Sequence, residues 1–367
     1  MSIPRLTKET VTTSGSTRTF SYEGNFPLHP ISCTVTEERN GEYELEMDIP
    51  RTDKYFSEIA IGKIIRVPHD STGEQQMFEI YNIENGLDGI AHVSAWHITY
   101  RTRATLLEPF SISNATANAV FIALQSHYIG DFTTRYPFGL YANVSGTVNV
   151  FEIKAPKTLR EVLKMAQETF GGEMSLDSMY ISLLESKGTD SGVVLQYGRN
   201  ITSLKREQAG DNVFSAVYPF WKGKDSGGNE KTVTLSEQIV TRSYLNGYFG
   251  TYKIVIPLDL SEHFSSEPSL SSLRTAAGDW LDRNAPQTLP ENIDLSVLQM
   301  DENGRSAVAK LNVCDTLRIS YPDMGINVKA KVTKTIFNVL LDRYDSISIG
   351  TMPNTMNNAI KKVVGIK

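Results

Sequence analysis

Cysteine is scarce in this chain, and the scarcity is informative. Only Cys33 and Cys314 occur, so no disulfide framework can staple the fold. Both sit among alternating apolar residues, where a small buried hydrophobe is the expected role and a thiolate is disfavoured. Long apolar runs are missing too. No stretch approaches the ~18 residues of a membrane span, and residues 1–7 carry no apolar signal core. The expectation is a protein made and kept in a cytoplasm, with no membrane segment. Asn114, Asn143 and Asn200 fit the glycosylation pattern, which without a secretion signal reads as chance. Basic charge is also in short supply: 36 Lys and Arg stand against 42 Asp and Glu, a formal net charge of −6. Phosphate affinity needs clustered basic residues, so nucleic acid is not expected to be held, although DNA could pass such a surface.

The familiar catalytic patterns are absent as well. Residues 223–232 have the composition of a phosphate-binding loop but not its spacing. None of the six His forms a helical metal-ligand pair; His92 and His97 lie five apart in a strand and point to opposite faces. No Gly-x-Ser-x-Gly elbow occurs. Asp301-Glu-Asn-Gly304 lacks the ligand spacing of a calcium loop. We therefore expect no catalytic residues, no cofactor and no metal.

What is present is β-structure, written twice. In the first hairpin, Ile31, Cys33 and Val35 alternate with Ser32, Thr34 and Thr36. After an Asn40-Gly41 turn, Tyr43, Leu45, Met47 and Ile49 alternate with Glu42, Glu44, Glu46 and Asp48. Period two around Asn-Gly is a strong hairpin signal. A three-strand meander follows from Lys63 to Tyr100. A similar but weaker hairpin is expected over 201–219, turning at Ala209-Gly210-Asp211, and its meander over 315–350. Between the copies the period changes. A helix is expected over 114–128. A second follows the capping box Thr158-Leu-Arg-Glu161 and stops at Gly171-Gly172, before a hairpin over 173–185. Residues 222–231 read as a polar loop. A further helix follows Ser266-Glu-Pro268, carrying Leu270, Leu273, Ala277, Trp280 and Leu281, and a strand is expected over 292–300.

The fold class expected is α+β, mainly β: two similar antiparallel β-barrel domains with two inserted mixed α/β domains. The domains are 1–105 (first barrel), 106–199 (α/β insert), 200–222 with 292–350 (second barrel), 223–291 (mixed outer domain) and 351–367 (connector). Two similar β units in one chain suggest that three chains build a ring of six.

Glu42, Glu44, Glu46 and Asp48 form one acidic strand face. Same-face neighbours on a strand lie ~6.5–7 Å apart, within the range of a glycosidase pair. Three readings therefore stand: a solvated face, the acidic wall of a channel, or carboxylate catalysis. Tyr218-Pro-Phe-Trp221 is either a strand-end core cluster or a sugar-stacking platform.

Gln75-Gln-Met-Phe-Glu-Ile-Tyr-Asn-Ile, Gly89-Ile-Ala-His-Val-Ser-Ala-Trp-His-Ile-Thr-Tyr100, Phe170-Gly-Gly-Glu, Tyr197-Gly-Arg-Asn-Ile-Thr-Ser-Leu, Val217-Tyr-Pro-Phe and Arg343-Tyr-Asp-Ser-Ile-Ser-Ile-Gly350 occur in an order and spacing that resembles the structural N-terminal region of phage tail-associated lysins and prophage endopeptidase tail proteins. The resemblance spans about residues 1–350. It implies a baseplate-hub fold and a homotrimer forming a pseudo-six-fold ring that continues the tail tube at the virion tail tip. The implied partners are a hexameric distal tail protein, the tape-measure protein and a downstream tip or receptor-binding protein, with DNA passing through without specific binding. The peptidase activity in the family's name is not carried over, because no site residues support it. Two alternatives remain as expectations: a peptidoglycan hydrolase acting through Glu44 and Glu46, and a carbohydrate-binding tail module using Tyr218 to Trp221.

Overall fold

A computed structural model describes residues 3–7, 9–11, 18–20, 26–70, 72–130, 138–196, 201–208, 213–225, 227–244, 246–261, 263–264, 266–285, 291–297, 311–321 and 326–350. The connector 351–367, the turn at 209–211, the 301–304 turn and the strand's end beyond 297 lie outside them. The chain divides into two units, Met1–Lys205 with Ile293–Gly350, and Arg206–Asn292.

The first hairpin forms as its alternation requires. Strands Ser32–Glu38 and Tyr43–Pro50 pair antiparallel, with Val35 opposite Leu45. Asn40 takes a positive φ of 56° at the turn. Cys33, Val35, Leu45, Met47 and Ile49 are essentially inaccessible, while their alternates stay partly exposed. The meander follows as Ile64–Pro68, Gln75–Asn85 and Ile90–His97, then a 3-10 helix, Ile98–Ala104. The second meander is Thr316–Tyr321, Ile326–Asn338 and Arg343–Gly350.

The second hairpin differs from expectation. Strand Ile201–Gln208 is not followed by a paired return strand. Its sheet neighbour is Glu291–Val297, and Ala216–Lys224 belongs to a different sheet. The weak alternation of 201–219 leaves its pairing unspecified by sequence, and long-range packing chooses the partner.

With this correction the two copies share one topology. In the first, the order across the sheet is 32–38, 43–50, 90–97, 75–85, 64–68; in the second it is 201–208, 291–297, 343–350, 326–338, 316–321. The correspondence extends to single hydrogen bonds. Gly62 N donates to Ile80 O and Ile80 N to Lys63 O; Cys314 N donates to Val332 O and Val332 N to Asp315 O. Both copies carry an irregularity one residue later, at Tyr81 and Thr333.

The copies are also joined. Strand Ile326–Asn338 pairs antiparallel with Ser32–Glu38, placing Lys334 opposite Glu38 and Phe337 opposite Val35. Among the described residues one sheet of 13 strands results, over one apolar core drawn from both copies. No closed barrel is found among the described residues.

The α/β segment in the first unit has its own core. Helix Ala117–Ser126 is capped by Thr116, and helix Leu159–Phe170 opens with the expected capping box. The 173–185 hairpin forms as Glu173–Asp177 and Tyr180–Leu184. It is tied to both β copies. The Asn40 side chain donates to Gly172 O and accepts from Met174 N, so the hairpin tip is clasped like a strand. The buried Glu173 carboxylate accepts from Lys331 Nζ at 2.6 Å and the Lys187 amide at 2.8 Å. The Arg39 guanidinium lies 3.0 Å away, and Lys187 pairs with Glu37.

In the second unit, Ala216–Lys224 pairs with Glu230–Thr234, Val240–Thr241 and Val255–Asp259. The expected 222–231 loop is thus largely a β-hairpin, with Gly223 opposite Lys231. Helix Leu270–Asn284 buries Leu273, Ala277 and Leu281, while Leu270 is exposed.

Candidate functional site

Cross-strand register places Glu44, Glu46 and Asp48 on one side of the joined sheet, opposite the core, and Glu42 precedes them by the same period. Asp48 lies between Ser32 and His92, with Glu84 next in the row. Glu46 lies between Thr34 and Ser94, flanked by Asn338 and Asn82. Glu44 lies between Thr36 and Trp96, with Ile336 and Ser346 beyond Thr36. The face spans both copies and consists mainly of Ser, Thr, Asn and carboxylates.

Each acid has a different environment. Glu42 pairs with Lys334 at 3.3 Å; an exposed pair of this kind contributes ~0–1 kcal/mol. Glu44 accepts from Tyr81 Oη at 3.3 Å; burial and the nearby Glu42 raise its pKa. Glu46 is exposed. Asp48 accepts from His92 Nδ1 and Ser32 Oγ, each at 2.8 Å, and the His92 hydrogen bond leads in lowering its pKa. The oppositely shifted acids, Glu44 and Asp48, are four residues apart on one strand. At ~3.3 Å per residue that is ~13 Å, beyond the ~9.5 Å limit of a carboxylate pair working across one sugar bond.

Sequence reasoning missed the features beside them. Tyr81 stacks on Trp96 (3.9 Å between centroids), and Trp96 stacks on Tyr100. Arg103 lies over Trp96 and Arg160 over Tyr100. The alternation of 75–83 and 90–97 could have placed Tyr81 and Trp96 on the polar face, but their contact depends on the irregularity at Tyr81.

His97 is buried and neutral, pushed well below its ordinary pKa by desolvation, and bonded to Thr99 and Gln76. His92 is on the polar face, as opposite-face spacing requires. Trp221 is buried, with Nε1 donating to Phe264 O at 3.1 Å. A sugar platform from Tyr218 to Trp221 is therefore not assembled: only Tyr218 and Phe220 share the outer face, because Trp221 is one residue out of phase. Among the described residues no cluster of three His, Cys, Asp or Glu is placed to hold a metal, and no helix is long and apolar enough to cross a membrane.

The fold of this chain is shared by solved tail proteins. A prophage MuSo2 43 kDa tail protein from Shewanella oneidensis matches with a TM-score of 0.62 at 14% identity, over 97% of this chain and 100% of that one. The tail protein from Neisseria meningitidis MC58 matches at 0.58 and 12%, over 98% of each chain. Prophage tail protein gp18 from Listeria monocytogenes EGD-e matches at 0.57 and 11%, over the full length of both. No family model and no curated protein sequence matches the chain.

Proposed function

We propose that the chain is a structural component of a phage or prophage tail tip. Three copies form a hub ring that continues the tail tube, and the two β units act as quasi-equivalent tube domains. The observation that carries this reading is the repeated strand order, joined edge to edge so that one polar face runs across both copies. Three such chains present six β units, which matches a hexameric distal tail protein above the ring. The tape-measure protein and DNA would pass through the opening, and a tip or receptor-binding protein would follow below. Glu42, Glu44, Glu46 and Asp48 would face the passage, where fixed negative charge repels DNA. The role is architectural; incubation with peptidoglycan should release no fragments.

The test is the assembly state of the full chain. Light scattering with negative-stain class averages should give a trimer with six lobes around a central opening wide enough for duplex DNA. A monomer at every concentration, also in the presence of a distal tail protein, would sink the reading.

A further inference from the structure

Within one chain the copies are joined by a specific contact. The first strand of copy one, Ser32–Glu38, pairs with the far half of the long strand of copy two, at Lys334 to Asn338. The near half of that long strand is occupied by Thr316–Tyr321. The equivalent long strand in copy one is Gln75–Asn85. Its near half is occupied in the same way by Ile64–Pro68, ending at Glu79. Asn82 to Asn85 correspond to Lys334 to Phe337, and no strand among the described residues pairs with them on that edge. The equivalent of Ser32–Glu38 in copy two is Ile201–Gln208. It ends the sheet, with Glu291–Val297 as its one neighbour among the described strands.

Burial agrees. Thr335 and Phe337, covered by the joint, are 3% and 0% exposed. Their counterparts Ile83 and Asn85 are half-buried and exposed. Val339 N donates to Cys33 O, so alternate amides of the long strand face the joint. The corresponding amides at Ile83 and Asn85 face an edge on which no described strand pairs. An open edge with a row of free donors is a template for another strand.

We propose that Ile201–Gln208 of one copy pairs antiparallel with Asn82 to Asn85 of a neighbouring copy, repeating between chains the joint already made within each. This rests on the trimer reading and names its interface. The contact is heterologous, and three repeats close it into a ring.

The experiment uses the full chain with Asn85→Cys, combined in turn with Thr202→Cys, Ser203→Cys, Leu204→Cys or Lys205→Cys. Cys33 and Cys314 are buried, and burial leads in pushing Cys314 up to about 12, so they stay silent. On mild oxidation, one or two adjacent positions should give a covalent ladder ending at three chains. Asn85→Cys with Glu230→Cys, on the second unit's own sheet, should give none. As an independent arm, Asn85→Pro removes one edge amide and should weaken trimer formation about tenfold, the equivalent of one or two ladder hydrogen bonds. A trimer seen by light scattering but cross-linked at none of the four positions overturns the joint and leaves the trimer reading intact. A ladder that stops at two chains, or equal cross-linking of the control, also overturns the joint. A chain that is monomeric throughout and uncross-linked overturns both.

Discussion

Cys314 occupies a glycine's place. Its φ is +79°, and its counterpart in the first copy, Gly62, has φ +81°. Each amide donates back to the long strand of its own copy, which fixes the conformation whatever the side chain. A left-handed non-glycine residue costs ~1–2 kcal/mol, so the pairing, not the residue, sets the backbone here. Directly against Cys314 lies Gly188, where a Cβ would collide with the Cys314 carbonyl oxygen. The obstacle is backbone, held by Asp315 accepting from Thr189 N and Asn312 N. We expect Gly188→Ala to lower stability by ~2–3 kcal/mol, the range of core overpacking, measured by urea unfolding. An unchanged midpoint would show that the crossing of these segments is loose. Nothing in the sequence around Gly188 signals this contact, because its partner is more than a hundred residues away.

At the scale of elements, a junction ties the 173–185 hairpin to both β copies. Burial alone would raise the Glu173 pKa, but Lys331, the Lys187 amide and Arg39 outweigh it and hold it below the usual range. Its stabilisation is therefore complete above the unfolded value of ~4.3 and lost as pH falls through the lower folded value. Lys187 has the opposite sign: burial would lower its pKa, but Glu37 raises it. That contribution is complete below ~10.4 and lost as pH rises through the higher folded value. Glu173→Gln should lower stability at pH 7 by ~3 kcal/mol, leaving the partly buried Lys331 and Arg39 underpaired, and should shrink the loss of stability below about pH 4.3. Denaturant unfolding at pH 7 and pH 4 reads both; wild-type stability at pH 7 in the variant would refute the junction's role. Local signals were enough for several elements here. The Asn40-Gly41 hairpin, the Thr158 to Glu161 capping box and the Gly171-Gly172 stop each rest on chemistry within a few residues. The 201–219 hairpin failed because its alternation was weak, so nothing local chose between a return strand and the distant Glu291–Val297. The loop expected over 222–231 is shorter, lying between Lys224 and Glu230, because Gly and Lys content masked the end of a strand whose inward residue, Trp221, packs against the second unit's core.

For the whole molecule, the repeated order and the shared polar face make the difference between two β units and one surface. If that face lines a passage for DNA, charge reversal at its exposed positions should make the passage adhesive. Particles carrying Glu46→Lys and Glu84→Lys should eject their genomes more slowly, with the defect relieved by added salt. Ejection at the wild-type rate in low salt would place the face away from the DNA path. The sequence by itself determined which residues turn inward: period two buried Cys33, Val35, Leu45, Met47 and Ile49 and left the four acids on the other side. It also determined that the three-strand meander is repeated, because alternation and turn residues are local properties. Only the tertiary structure decided which strand meets which. The joint of Lys334 to Asn338 with Thr34 to Glu38 spans nearly 300 residues, and any edge strand offers the same backbone donors and acceptors. Register there is selected by the burial of Phe337 and Val35 in a common core, a choice that no local pattern encodes.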